Sequence, residues 1–181
     1  MAMPVEGTNT PAWTFGGDPV GELVKVHAPG VSSVDEVARA MGVQRREVLK
    51  TRLFRTHTNG PALSSAVDPA WVVAVVRGDC EIDPAKLAAG LLEFFHVNLV
   101  DEASIPPDPG LKSAYFGPHV VTRKADAVLV VDFEAAQEGA WVTGSNETDY
   151  LVKNFNWFRE CGDRLADPRR TAVTDISLTK R

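Results

Sequence analysis

The sequence is poor in the residues from which metal centres and disulfide frameworks are built. It has two cysteines, Cys80 and Cys161, with no CxxC pair, and four histidines without ligand spacing. It lacks an apolar run approaching the roughly 18 residues of a membrane helix, and its first residues do not resemble a signal peptide. These absences predict a cytoplasmic protein that uses no metal or cofactor and has no membrane partner.

The common catalytic signatures are also missing. There is no GxSxG elbow, P-loop, GxGxxG fingerprint or HExxH helix. Acidic residues outnumber basic ones by 24 to 19, which argues against coating of DNA or a membrane by the whole surface. The exception is residues 45–55, here called the basic segment, in which Glu47 is the one acid. Its cations are Arg45, Arg46, Lys50, Arg52 and Arg55.

What the sequence does contain is a mixture of helix and strand patterns. Residues 34–41 have helical spacing, with a capping box of Ser33 and Glu36 and a stop at Gly42. Asp83 and Pro84 predict the start of a second helix, at 83–95. Strands are predicted at 48–56, 66–79, 127–133, 139–144 and 150–158, and a long loop at 105–120. The mixture predicts one α/β domain on a central, mixed sheet.

The domain is expected to span residues 21–175. A flexible lead-in is predicted at 1–20 and a polar tail at 176–181, because neither end has apolar periodicity. The polarity of the chain from Asp163 onward also predicts fraying there.

Lys50 is the most informative residue of the predicted strand at 48–56. Alternation places it on one face with Arg52 and Phe54, while Thr51 belongs to the other, largely apolar face. It is either a solvated lysine on an edge strand or a cation at the mouth of a pocket, where it meets a phosphate or a carbonyl oxygen. The residues alone leave both interpretations open.

Eight short motifs, in order from about residue 22 to 175, resemble the insertion (editing) domain of bacterial prolyl-tRNA synthetase and its free-standing YbaK-type relatives. The motifs are VHAPGVSSVDEVA, VLKTRLF, VAVVRGDCEID, PAKL, AYFGPHV, AWVTGSNETD, NFNWFRE and LADPR. The resemblance implies a mainly antiparallel sheet flanked by helices. It also implies hydrolysis of the ester of an amino acid wrongly attached to proline tRNA, most often alanine.

The resemblance further implies site residues. Lys50 would meet the 3′-terminal adenosine and the aminoacyl ester, while water, helped by a ribose hydroxyl, attacks. The implied catalytic residues are Lys50, Gly117, Pro118 and Asp167. The implied pocket consists of Thr51, Asp79, Tyr115, Phe116, Gly144, Ser145, Asn146 and Leu151. Arg45, Arg46 and Arg52 would contact the acceptor end of the tRNA, and a prolyl-tRNA synthetase is an open second partner.

The sequence departs from the family pattern at four positions. Ala114 replaces a glycine of the loop motif, Ser145 replaces an alanine, and Glu160 replaces an aspartate. Leu151 stands where alanine-editing domains carry a pocket histidine, which predicts acceptance of a different or larger aliphatic group.

Three functions remain open at this point. The first is a trans-acting aminoacyl-tRNA deacylase. The second is a catalytically altered module of the same fold that binds tRNA or a synthetase. The third is hydrolysis of a small ester unrelated to tRNA. The protein is either free-standing or a domain of a longer chain.

Overall fold

Eight strands and three helices occur in the part of the chain that the computed structural model describes, residues 15–58, 71–102, 111–123 and 126–178. The strands are β1 (Val24–His27), β2 (Leu49–Thr58), β3 (Trp71–Arg77), β4 (Val97–Glu102), β5 (Ala127–Val131), β6 (Trp141–Gly144), β7 (Tyr150–Phe155) and β8 (Thr171–Val173). The helices are α1 (Val34–Met41), α2 (Pro84–Phe95) and α3 (Trp157–Cys161). None of these helices is long and apolar enough to cross a membrane.

The strands form two sheets. The larger has the order β4-β2-β3-β5-β8, in which β2 is antiparallel to β3 and β4, while β3, β5 and β8 are parallel. The smaller is antiparallel, with the order β1-β7-β6. The predicted mixed, mainly antiparallel α/β domain is therefore confirmed, with its strands divided between two sheets.

The two sheets meet at the start of β2. Strand β2 pairs with β4 only from Phe54 onward, so its first half is not covered by β4. Val48 instead forms a parallel bridge with Val142, and the Thr143 hydroxyl lies 3.2 Å from the carbonyl oxygen of Leu49. This junction leaves the first half of β2 facing α1 and the loops around it.

Both predicted helix starts are confirmed. The Ser33 hydroxyl accepts from the Glu36 amide at 3.3 Å, the Glu36 carboxylate accepts from the Ser33 amide at 3.1 Å, and Gly42 ends α1 with φ 67°. Asp83 accepts from the Ala85 amide at 2.9 Å, and α2 begins at Pro84. In both cases a side chain satisfies amides that lack a helical partner.

Two local predictions are wrong. The strand predicted at 150–158 ends at Phe155, because the Asn156 side chain accepts from the Arg159 amide at 3.0 Å and starts α3. The chain from Asp163 is not frayed: Leu165 and Ile176 are buried, and β8 pairs with β5. A few apolar side chains are enough to hold this polar segment in place, because the parallel pairing of β8 with β5 covers them.

The first described residue and the segment after β8 both contact one turn, residues 132–136. The Phe15 amide donates to the Ala136 carbonyl at 2.7 Å, and the Phe15 ring lies 5.0 Å from that of Trp157. The Asp132 carboxylate accepts from the amides of Ile176 and Ser177 at 3.0 and 3.1 Å. Residues 1–14 and 179–181 of the predicted lead-in and tail lie outside the described residues, and the domain bounds 21–175 stay a prediction.

Candidate functional site

A small cavity lies beside the first half of β2. It leaves about 20 Å³ for the centres of water molecules, close to the minimum that one water needs. Four groups of residues line it: Ser32, Ser33, Val34 and Val37 from the start of α1; Val48, Leu49, Lys50, Thr51 and Arg52 from β2 and the residue before it; Ser113, Ala114 and Phe116; and Gly144. The cavity therefore suits a small group.

One wall of the cavity is a close contact between two backbone segments, 115–117 and 144–146. The Asn146 amide donates to the Tyr115 carbonyl at 2.8 Å, and the Gly117 amide donates to the Asn146 side-chain oxygen at 2.8 Å. A Cβ on Gly144 would overlap the backbone of Tyr115, and one on Gly117 would overlap the carbonyl of Gly144. Both glycines are therefore required for this approach.

Tyr115 fixes that wall to the segment before α1. Its hydroxyl donates to the Ala28 carbonyl at 2.8 Å and accepts from the Val31 amide at 3.1 Å. Burial raises the pKa of the Tyr115 phenol, so the group is neutral at physiological pH. The loop that carries Ala114 and Phe116 is thus held in a defined position relative to α1.

Lys50 is a buried cation with a partner. Its residue is 8% exposed, its ammonium donates to the carboxylate of Glu81, and the carbonyl of Cys80 lies 3.5 Å away. Of the two interpretations open at the sequence level, a solvated lysine does not fit this environment. Glu81 was missed by sequence reasoning, although antiparallel pairing of Lys50 with Val76 brings the turn after β3 beside it.

Lys50 and Arg52 also line a second, larger space on the other side. This groove has a volume of about 160 Å³, and its remaining lining residues are Phe54, Glu81, Ile82, Pro84 and Glu102. The two cations therefore line both the small cavity and the groove. Such an arrangement suits a ligand with one small and one bulky part.

Two buried polar atoms near the cavity have no hydrogen-bond partner among the described residues. They are the hydroxyl oxygen of Thr51 and the side-chain nitrogen of Asn146. An unsatisfied buried polar group costs about 1–3 kcal/mol, which a bound ligand can recover.

The structure brings many of the predicted site residues together. Lys50, Thr51, Arg52, Phe116 and Gly144 line the cavity. Tyr115, Gly117 and Asn146 form the wall described above, and Pro118, also buried, follows it. The Ser145 hydroxyl donates to the Tyr150 carbonyl at 2.8 Å, and Leu151 is fully buried opposite Gly144. Leu151 supports the wall from the core and does not line the cavity, and its predicted effect on the size of the group accepted stays a prediction.

The two predicted acids lie elsewhere. Asp79 accepts from the Arg77 guanidinium at 2.9 Å. Asp167 accepts from Arg169 at 3.1 Å, and this hydrogen bond holds its pKa below the usual range. Asp167 precedes β8, at the starting end of the parallel strands, whereas Lys50 pairs near the end of β3. The predicted role of Asp167 beside the ester stays a prediction.

In the folded protein, most cations of the basic segment lie beside acidic side chains. Arg45 lies 3.2 Å from Asp35, Arg52 lies 3.3 Å from Glu102, and Arg55 lies 2.7 Å from Asp101. With Lys50 bound to Glu81, four of its five cations have acidic partners. These partners are distant in sequence, so the linear pattern did not reveal them.

Cys161 is buried and does not have the properties of a nucleophile. Burial raises the pKa of the Cys161 thiol well above its usual range, so it remains protonated. Among the described residues, no group of three or more His, Cys, Asp or Glu side chains is placed to hold a metal ion.

Comparison with known proteins identifies similar sequences. The family model of the aminoacyl-tRNA editing domain matches residues 28–161. The proline-tRNA ligase of Maridesulfovibrio salexigens is 30% identical over 154 residues, which cover 84% of this chain and 24% of that protein. The proline-tRNA ligase of Thermoanaerobacter sp. (strain X514) is 28% identical over 154 residues, covering 83% and 25%. The chain thus spans about a quarter of the length of these curated relatives.

Solved structures share the fold. The crystal structure of a hypothetical protein superposes with a TM-score of 0.56 at 20% identity, covering 87% of this chain and 91% of the other. A candidate trans-editing enzyme for prolyl-tRNA synthetase superposes with a TM-score of 0.53 at 14% identity, covering 87% of each chain. At these identities the likeness establishes the fold alone.

Proposed function

The chain belongs to the aminoacyl-tRNA editing domain family, and from this premise we propose that it hydrolyses the ester of a small amino acid wrongly attached to proline tRNA. The choice of proline tRNA rests on the proline-tRNA ligases among its relatives. Alanine or another small amino acid is the group removed, and a prolyl-tRNA synthetase is the candidate protein partner.

The observation that carries this proposal is the position of Lys50 between the two spaces. The amino acid side chain enters the small cavity, and the bulky terminal adenosine lies toward the groove. The small size of the cavity favours a small amino acid side chain over the proline ring of correctly charged tRNA.

The reaction needs no protein nucleophile. Water, oriented by a ribose hydroxyl, attacks the carbonyl carbon, the ester carbon–oxygen bond breaks, and a proton passes to the departing ribose oxygen. Lys50 stabilises the negative charge that develops on the carbonyl oxygen or holds the adjacent phosphate. Gly117 and Pro118 keep the loop backbone beside the ester. Arg45, Arg46 and Arg52 bind tRNA phosphates. When the tRNA binds, Arg45 and Arg52 leave their carboxylate partners and pair with phosphates instead.

A second candidate function is a non-catalytic module that binds tRNA or a synthetase. The observation in its favour is that the Lys50 ammonium is already occupied by Glu81. In such a module the ester would remain intact because no free cation meets it.

The test is deacylation of proline tRNA charged separately with alanine, serine, threonine, cysteine, 2-aminobutyrate and proline. We expect the protein to remove at least one small amino acid and to leave prolyl-tRNA intact. Binding of charged tRNA with every ester intact would instead establish the non-catalytic module. Hydrolysis of free aminoacyl esters with no gain from the tRNA would point to a small-ester hydrolase.

A further inference from the structure

Both groups that receive the buried Lys50 ammonium belong to one turn, residues 78–83, which connects β3 to α2. The Glu81 carboxylate accepts from the ammonium, and the Cys80 carbonyl lies 3.5 Å from it. Among the described residues, the Glu81 carboxylate has no other hydrogen-bond or ion-pair partner. Because this largely exposed side chain is bonded to Lys50 alone, its position depends on where the backbone of the turn places it.

The backbone of this turn is bonded to the segment that follows β8, residues 175–178, here called the strap. The Leu178 amide donates to the Glu81 carbonyl, and the Asp83 amide donates to the Ile176 carbonyl, both at 2.8 Å. These two hydrogen bonds flank an isolated antiparallel bridge between the two segments. The strap therefore pairs with the turn like a short strand, directly beside the glutamate.

The strap is itself fixed to the core of the domain. Ile176 is fully buried, and the Asp132 carboxylate accepts from the amides of Ile176 and Ser177 at 3.0 and 3.1 Å. Lys86 of α2 donates to the Asp175 carboxylate and to the Ser177 carbonyl, each at 2.8 Å. The strap is thus a firm support against which the turn is held.

From these contacts we propose that the strap positions the Lys50 ammonium for the reaction, because it holds the turn to which that ammonium is bonded. The inference rests on the proposed deacylase function and adds a positioning element to it. A lysine ammonium has three N–H donors. With two of them directed at Glu81 and Cys80, the third has a fixed direction and is left for the carbonyl oxygen of the ester. A shift of the turn by about 1 Å would misdirect this donor, and a misplacement of that size can slow a reaction about a hundredfold.

The experiment removes one hydrogen bond of the strap and observes Lys50 directly. Leu178→Pro deletes the amide that donates to the Glu81 carbonyl, whereas Leu178→Ala keeps this amide and shortens an exposed side chain. The NMR signals of the Lys50 side chain, assigned with Lys50→Met, are compared in the wild type, both Leu178 variants and Glu81→Gln. We expect Leu178→Pro to shift these signals in the same direction as Glu81→Gln, and Leu178→Ala to leave them in place. Unchanged signals in Leu178→Pro, or equal shifts in both Leu178 variants, overturn the inference.

Hydrolysis tests whether the strap acts through Glu81. The substrate is the ester that the wild type removes fastest from proline tRNA, and kcat and KM are measured separately. We expect Leu178→Pro to lower kcat about tenfold and to change KM less than about twofold. In the Glu81→Gln background the same change should lower kcat less than about twofold, because the carboxylate that it would misplace is absent. A tenfold loss in both backgrounds would indicate general damage to the fold and would refute the inference.

The NMR comparison also separates this inference from the proposed function. If the wild type hydrolyses no ester, a shift of the Lys50 signals in Leu178→Pro alone still supports the hold of the strap on Lys50, and only the deacylase is removed. Should Leu178→Pro not fold, Lys86→Met takes its place, since it frees the strap from α2. We then expect the same direction of shift, reversed in Lys86→Arg, which keeps a donor. A folded Lys86→Met with wild-type Lys50 signals would contradict the inference.

Discussion

Lys50 and Glu81 form an ion pair in which the cation is buried and the anion faces water, with side chains 7% and 63% exposed. The lysine is thus held from one side by a group that solvent can reach. A ligand that brings its own negative charge from solvent can replace Glu81 without leaving the ammonium unpaired.

Replacement of Lys50 should separate catalysis from folding. We expect Lys50→Ala to lower the rate of ester hydrolysis by at least about a hundredfold, because the developing negative charge loses its stabilising cation. Circular dichroism should show a folded domain. Lys25→Ala is the matched control, since Lys25 is an exposed lysine that also pairs with a glutamate, Glu147. Full activity of Lys50→Ala would refute the proposed mechanism.

The strength of the Lys50–Glu81 pair can be measured with a double-mutant cycle. We expect a coupling free energy of about 1 kcal/mol from urea unfolding of Lys50→Met, Glu81→Gln and the double variant. The value is modest because water screens the exposed Glu81. A coupling indistinguishable from zero would mean that Glu81 does not hold Lys50 in solution.

Gly144→Ala should disturb the cavity wall. The added Cβ would overlap the backbone of Tyr115, which cannot rotate away as a side chain could. We expect the free energy of unfolding to fall by about 3 kcal/mol, measured with urea. Gly139→Ala is the control, because its Cβ would lie 3.3 Å from the nearest atom, in the Trp141 ring, and should cost less than about 1 kcal/mol. Similar losses in both variants would contradict the close approach of the two segments.

Tyr115→Phe should destabilise the protein by about 2 kcal/mol, because the Ala28 carbonyl and the Val31 amide lose their buried partner. Hydrolysis should slow as well, since the loop beside the cavity is no longer tied to the segment before α1. Urea unfolding and single-turnover deacylation measure the two effects. A variant with wild-type stability would show that these bonds are replaced by water.

Acid should weaken the contact between α2 and the segment after β8. Lys86 donates to Asp175 at 2.8 Å, and this hydrogen bond holds the pKa of the Asp175 carboxyl below its usual value. A lowered folded-state pKa stabilises the protein above the usual aspartate value of about 3.9 and loses that contribution as the pH falls below it. The midpoint of thermal unfolding should therefore fall less steeply in Asp175→Asn than in the wild type between about pH 4 and pH 2. Asp163→Asn, at an exposed position, should follow the wild-type curve.

Local chemistry explains which elements could be predicted from the sequence. The starts of α1 and α2 were predictable because Ser33, Glu36 and Asp83 satisfy helix amides within three residues. Strand β8 and helix α3 were not, because β8 depends on pairing with a distant strand and α3 on a single cap, Asn156, after a strand-like run.

The site likewise has residues that local sequence reveals and residues that only distant contacts bring in. Lys50 stood out because a lysine in an apolar strand is costly, and the motif resemblance placed Thr51 and Gly144 with it. Glu81, the start of α1 and the acidic partners of the basic segment belong to the site only through tertiary contacts. The free hydroxyl of Thr51 could not be read from the sequence either, since it depends on which carbonyls come within reach.

The turn at 132–136 joins the first described residue to the segment after β8. Phe15 is bonded to Ala136, and Ile176 to Asp132. Local opening of that turn would release both at once, so their backbone amides should lose protection from hydrogen exchange together.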